Sequence, residues 1–341
     1  MATEAVRAQV FFQLMTGYRA SQALYVAAKL GIADLLANGP RTADDLARAA
    51  GAHAPSLHRL LRALVSVDVV AEKDDGRFAL TELGECLRAD APDSQRGTAI
   101  FYGDHRHWET WGKLLHSVQT GETGRGTHAV DFAGLAKHDP EGAAIFNDAM
   151  TALTRAVDAA IVAAYDFSRV GTLVDVAGGH GALLTSILRA HPHLRGVLFD
   201  IPPVIEGART RVEQSGVAGR VALVAGSFFE SAPPGGDVYL LKWIIHDWDD
   251  ERSVTILTNC RRAMGAGGTL LLVERVVPER VQQTELHQGI LFADLNMLVL
   301  AGGRERSEAE YRSLLGVAGF RLTRIIPTAS PMCIIEGVPG V

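Results

Sequence analysis

The chain has 341 residues, 48% apolar and 21% charged, a balance that supports more than one globular unit and excludes collagen-like sequence and long disorder. Its formal net charge of -6, from 33 basic and 39 acidic residues, provides no general attraction to nucleic acid or anionic lipid. Cys86, Cys260 and Cys333 lack the close spacing of a zinc site or disulfide framework, and no apolar run approaches the roughly 18 residues of a membrane span, so a cytoplasmic protein is expected.

From Val6 to Leu36 apolar residues recur at helical spacing, which predicts two amphipathic helices broken near Gly31. Thr42 to Asp45 opens a short helix that ends at Gly51, and Pro55-Ser56 opens a second, running from Leu57 to Val67. Val69 to Glu72, the turn Asp74-Asp75-Gly76 and Phe78 to Leu80 predict a β-hairpin. Helix, turn, helix and hairpin make a winged helix. DNA binding by such a unit needs basic side chains on its second helix and wing, yet residues 41 to 80 hold six basic and six acidic residues. A dimerisation or lid role is expected instead. Val10, Leu14 and Leu24 offer more apolar surface than a small winged helix can bury, which predicts a homodimer built through residues 1 to about 100.

Between Thr98 and Tyr165 the pattern is helical again and gathers His105, His107, Trp108, Trp111 and His116. With no acidic ligands at fixed spacing, this cluster reads as packing and not as a metal site. Phe146, Met150 and Leu153 share one helical face. After Asp166, short β runs alternate with helical patterns: Thr172 to Val176, Gly196 to Asp200, Val221 to Val224, Asp237 to Lys242 and Thr269 to Glu274. The alternation predicts an α/β domain with a parallel sheet, placed over residues 101 to 341 together with the preceding helical region.

The first of these runs ends in Asp175-Val-Ala-Gly-Gly-His-Gly181, a small-residue loop that lets backbone approach a ligand beyond the strand ends. A dinucleotide fingerprint would need a small residue where Leu184 stands, so a nicotinamide cofactor is disfavoured. Asp200 ends the second run, 25 residues after Asp175, where a carboxylate can take both hydroxyls of a ribose or can cap the turn Ile201-Pro202-Pro203. Lys242 and His246 leave the fourth run at the sheet's carboxyl edge. Asp247, beside His246 on an extended segment, is expected to face the other way. Glu274 ends the fifth run, and Glu305 follows a helical stretch from Leu291 to Leu300; two carboxylates near an imidazole would fix its tautomer and favour its charged form, unless Glu305 pairs with Arg304 or Arg306.

In this order, Leu173-Val-Asp-Val-Ala-Gly-Gly-His-Gly, Phe199-Asp-Ile-Pro, Gly226-Ser-Phe-Phe, Leu241-Lys-Trp-Ile-Ile-His-Asp-Trp-Asp-Asp-Glu and Gly302-Gly-Arg-Glu-Arg-Ser resemble the plant-type and bacterial small-molecule O-methyltransferases over nearly the whole chain. The resemblance implies a Rossmann-like methyltransferase domain with an N-terminal winged-helix dimerisation domain, S-adenosyl-L-methionine as cofactor, and no metal. It implies further that Ala177, Gly178, Gly179, Asp200, Ser227, Phe228 and Lys242 surround the cofactor. His246 would be the general base, oriented by Glu274 and Glu305, with Met150, Trp243, Phe292 and Met297 as walls of the acceptor pocket. Ala177 stands where the family usually has glycine, and is tolerated at negative φ but strained otherwise. Ser227 stands where the family usually has aspartate, so its contact to an adenine amino group carries no charge.

A phenol of pKa about 10 facing a histidine near 6.5 leaves about 5 kcal/mol to overcome, against about 12 for an alcohol as weakly acidic as water, which favours a phenolic acceptor. A winged-helix small-molecule regulator, or a relative that has exchanged methyl transfer for other chemistry, would keep the same pocket without using His246 as a base.

Overall fold

The computed structural model describes residues 4–126 and 138–340. These fall into two compact units, one holding residues through Glu109 and again His138–Leu153, the other residues from Thr110 and again from Thr154. The first unit thus runs past residue 100 and takes in the first half of a long helix. The helical expectation over residues 127–137 lies outside the described residues.

The first unit begins with α1 (Glu4–Thr16), α2 (Tyr18–Lys29) and α3 (Ile32–Leu36), so the chain breaks at Gly17 as well as at Gly31, whose φ of +63° a side chain would resist. The helices α4 (Ala43–Ala50) and α5 (Ala54–Val65) and the hairpin β1 (Val70–Glu72) and β2 (Phe78–Leu80) form the winged helix. Thr42 caps α4 by accepting from the Asp45 amide at 3.1 Å, and Gly51 closes it in the left-handed region. Leu46, Leu57, Leu61, Leu64, Val70 and Phe78 are buried in its core, each contributing on the order of 2 kcal/mol. α6 (Glu82–Glu85) and α7 (Arg96–Gly103) follow, and α8 (His105–Trp111) and the long α10 (Pro140–Ala164) each span the division between units, with α9 (Leu114–Thr120) lying in the second. Within the histidine and aromatic cluster, His107 meets Phe101 and Tyr102 edge-on and the Trp108 indole donates to the Tyr102 carbonyl, while His105 and His116 are exposed beside Asp104 and Glu122.

In the second unit, β3 (Thr172–Val176), β4 (Arg195–Asp200), β5 (Val221–Ala225), β6 (Val238–Lys242) and β7 (Thr269–Glu274) are mutually parallel. Between them come α11 (Ala182–Ala190), α12 (Pro202–Glu213) and α13 (Asp250–Ala263). The short parallel pair β8 (Val276–Val277) and β9 (Arg306–Ser307) brackets α14 (Glu285–Leu300), and α15 (Glu308–Val317) precedes β10 (Phe320–Pro327) and β11 (Cys333–Pro339). The sheet runs β10-β11-β7-β6-β3-β4-β5, with β11 antiparallel to β7, a terminal pair that periodicity did not announce. Strand order reverses between β3 and β6, and a crevice opens beyond the carboxyl ends at such a reversal. β3 and β6 deliver the glycine loop and Lys242 to that edge. Buried residues cover both sheet faces, with Leu173, Leu240 and Leu271 on one and Val174, Tyr239 and Leu272 on the other. No described helix is long and apolar enough to cross a membrane.

Candidate active site

The loop after β3 is tight for a physical reason. A Cβ on Gly178 would stand 2.4 Å from the Asp175 carboxylate and 2.5 Å from Leu198, so only glycine lets the backbone pass. Ala177 has φ +55°, the strained case for a residue with a side chain. Its amide donates to the Phe199 carbonyl at 2.7 Å, which holds it there. Gly179, at φ +58°, has open space where a Cβ would project. Asp200 serves the loop and the next turn at once: Oδ2 accepts from the Gly179 amide at 2.9 Å and Oδ1 from the Ile201 amide at 2.7 Å. Burial raises the Asp200 carboxyl above its usual range.

Asp175 itself is buried, its Oδ2 has no hydrogen-bond partner, and burial raises its carboxyl to about 7. Lys242 is held by Asp158 at 2.7 Å and Thr154 at 3.2 Å, both on α10. Asp158 escaped the sequence reading, although a single acid in the otherwise apolar run Ala156-Val-Asp-Ala-Ala-Ile161 was a usable signal. Ser227 Oγ accepts from the Phe229 amide at 3.3 Å, and Phe228 and Phe229 both meet Trp248 edge-on.

His246 sits on a 3₁₀ turn, Ile245–Asp247, between β6 and α13. Its Nδ1 lies 3.1 Å from Glu305 Oε1 and 3.6 Å from Glu274 Oε2. Glu305 pairs with neither Arg304 nor Arg306: its other partner is Arg275, at 3.0 Å from the same Oε1. The expectation that Asp247 faces away is corrected, because a 3₁₀ turn does not alternate as a strand does, and Asp247 Oδ1 comes 3.7 Å from His246 Nε2. Burial alone would push the imidazole down, but Glu274, Asp247 and Glu305 outweigh it and raise His246 to about 9. Burial raises Glu274 to about 7 and Asp247 to about 6, while His246 and Arg275 overcome the burial of Glu305 and hold it below its usual range.

His246, Glu274 and Glu305 present ligand atoms within 4.8 Å of one another, the one such group among the described residues. His246 Nδ1 and the Oε1 atom of each glutamate are engaged otherwise, while Oε2 of Glu274 and Oε2 of Glu305 are buried without a hydrogen-bond partner. Glu274 Oε1 accepts from the Ile244 and Ile245 amides at 3.0 and 2.9 Å, and a guanidinium already lies against Glu305. Trp243 donates from Nε1 to Met332 Sδ at 3.2 Å, Phe292 is 55% exposed on α14, Met297 on the same helix is half-buried, and Met150 lies half-buried on α10 within the first unit.

Fold and site together define a methyltransferase architecture, and comparison with known proteins agrees. The model of the O-methyltransferase domain matches residues 111–321 and that of the O-methyltransferase dimerisation domain residues 12–90. The chain is 46% identical over 332 residues to phenazine O-methyltransferase PhzM of Lysobacter antibioticus, covering 97% of this chain and 96% of that one. It is 39% identical to the mitomycin biosynthesis 6-O-methyltransferase of Streptomyces lavendulae, covering 98% and 95%. The solved structure of CalO1, a methyltransferase in calicheamicin biosynthesis in its S-adenosylhomocysteine-bound form, matches at TM-score 0.84 and 37% identity over 100% of both chains. A phenazine-1-carboxylate N-methyltransferase of Pseudomonas aeruginosa is 33% identical over 94% of this chain and 93% of that one. The chain belongs to the O-methyltransferase family, enzymes whose methyl donor is S-adenosylmethionine.

Proposed function

We propose that the protein transfers a methyl group to a phenolic hydroxyl of a small aromatic secondary metabolite, with His246 as general base and a homodimer as the working form. The observation that carries this reading is the placement of His246: Nδ1 is held by Glu305 at 3.1 Å, and both glutamates lie on the Nδ1 side. An imidazole so held offers Nε2 for proton removal and keeps carboxylates ready for the charge it gains.

The cofactor fits the residues present: the glycine loop has open space at Gly179, Asp200 stands beside it, and Ser227, Phe228 and Lys242 lie at neighbouring strand exits. When bound, S-adenosylmethionine supplies an electrophilic methyl on a sulfonium. His246 Nε2 takes the acceptor's proton while Glu305 and Glu274 stabilise the imidazolium. With His246 raised to about 9, the mismatch to a phenol near 10 is about one unit, roughly 1.4 kcal/mol, at the cost of a smaller free-base fraction at neutral pH. Trp243, Phe292 and Met297 are proposed to line the acceptor's path. The protein's own groups supply orientation and one base, so metal is not required.

Because an N-methyltransferase stands among the relatives, the deciding assay offers labelled cofactor to a panel of phenols, aromatic amines and aliphatic alcohols, with and without EDTA. Label carried to phenols alone, insensitive to EDTA, is the expected result. Label on amines only, or a metal requirement, would overturn the reading.

A further inference from the structure

We propose that Arg306 is a positioning residue for His246, an inference that rests on the base reading above. Arg306 is the largest fully buried side chain among the described residues, and the mechanism makes no use of it. Its Nη1 donates to the Ile245 carbonyl at 2.9 Å and its Nη2 to the Trp248 carbonyl at 2.8 Å. Those two carbonyls bracket the 3₁₀ turn that carries His246. Nη2 and Nε also reach Asp250 Oδ1, at 2.8 and 3.1 Å, and Nη2 reaches Ser253 Oγ at 3.4 Å.

A three-residue 3₁₀ turn cannot satisfy its own ends, so outside groups must do so. Glu274 takes the amides of Ile244 and Ile245, and Arg306 takes the carbonyls of Ile245 and Trp248. The turn is clamped between one carboxylate and one guanidinium. Gly303 closes a third side, since a Cβ there would lie 2.0 Å from the His246 carbonyl oxygen. Adjacent residues thus divide the work: Glu305 fixes the imidazole of His246, and Arg306 fixes the backbone on either side of it, at Ile245 and Trp248. A misplacement of about 1 Å can cost on the order of 100-fold in rate, so this clamp matters to turnover and not to stability alone.

The test places Arg306→Lys and Arg306→Gln in the wild-type and His246→Ala backgrounds, with folding followed by circular dichroism and S-adenosylhomocysteine binding by calorimetry. The expected result is a fall in kcat of about 10- to 100-fold with KM for both substrates within about twofold. In the His246→Ala background the same substitutions should change kcat by less than about twofold, because nothing remains to be positioned. Equal losses in both backgrounds, a loss confined to KM, or failure of both variants to fold would overturn the proposal. Wild-type turnover in the His246→Ala single variant would remove the base reading itself, a result seen without touching Arg306.

Discussion

Glu305 Oε1 accepts from His246 Nδ1 at 3.1 Å and from Arg275 Nη1 at 3.0 Å, so one buried oxygen joins an imidazole to a guanidinium. His246 first and Arg275 second hold Glu305 below its usual range against its burial, and an ionised Glu305 keeps a proton on Nδ1. The other ring nitrogen, Nε2, lies 3.7 Å from Asp247 Oδ1.

The first prediction is a pH profile. A histidine raised to about 9 is a proton carrier with only a small free-base fraction at neutral pH, so kcat/KM should climb about tenfold per unit from pH 6 to 8 and level near 9. The measured midpoint belongs to the cluster of His246, Glu274 and Glu305 together. Because the folded value lies above the unfolded 6.5, stability from this ion pairing is full below about pH 6.5 and is lost as pH rises through about 9. A flat kcat/KM profile between pH 6 and 9 would contradict this.

Ala177→Gly is expected to stabilise the protein. At φ +55° the alanine methyl costs about 1 kcal/mol that glycine avoids, less the greater freedom glycine gains in the unfolded chain. Urea unfolding should therefore show a gain of a few tenths to about 1 kcal/mol, with cofactor affinity undiminished. A destabilised variant would mean that the Ala177 methyl makes contacts worth more than the strain.

Much of this was legible in the sequence because it is local. Thr42 and Gly51 bound their helix by capping chemistry, and the alternation from Thr172 to Glu274 marked the five parallel strands nearly residue for residue, although a loop and not the expected helix joins β5 to β6. What was hidden depends on pairing across long separations. Arg306 looks like surface charge in a run of polar residues and Arg275 like a charge ending an apolar strand, and only the return of the chain from α14 brings Arg275 against Glu305 and Arg306 against the His246 turn. The sign of φ at Ala177 cannot be read from a residue type. Asp247 faces the imidazole because the chain leaves the strand at Lys242 and enters a 3₁₀ turn, where a strand's alternation no longer holds.

Ser227→Asp should tighten binding of S-adenosylhomocysteine. The hydroxyl now accepts from the Phe229 amide at 3.3 Å, a bond a carboxylate can keep with its second oxygen. Hydrogen bonds to charged groups are worth about 1.5 to 3 kcal/mol against about 1 for neutral ones, so a gain of several-fold to tenfold is expected. Unchanged affinity by calorimetric titration would place Ser227 outside the cofactor's contacts.

The outer face of α1 bears on assembly. Val10, Phe11, Phe12, Leu14 and Met15 are all at least half exposed in the single chain, large apolar side chains that a partner subunit would cover. Phe11→Asp combined with Leu14→Asp should convert a dimer to a monomer in sedimentation, with the winged-helix core intact by circular dichroism. A wild-type protein that sediments as a monomer at assay concentration would contradict the homodimer.

The central claim is that His246 removes the acceptor's proton, and the most direct measurement is turnover of His246→Ala set beside its affinity for S-adenosylhomocysteine. A general base contributes about 100-fold or more, so kcat should fall by at least that factor while the dissociation constant stays within about threefold. Wild-type turnover in that variant would contradict the account, whatever the geometry around Nδ1.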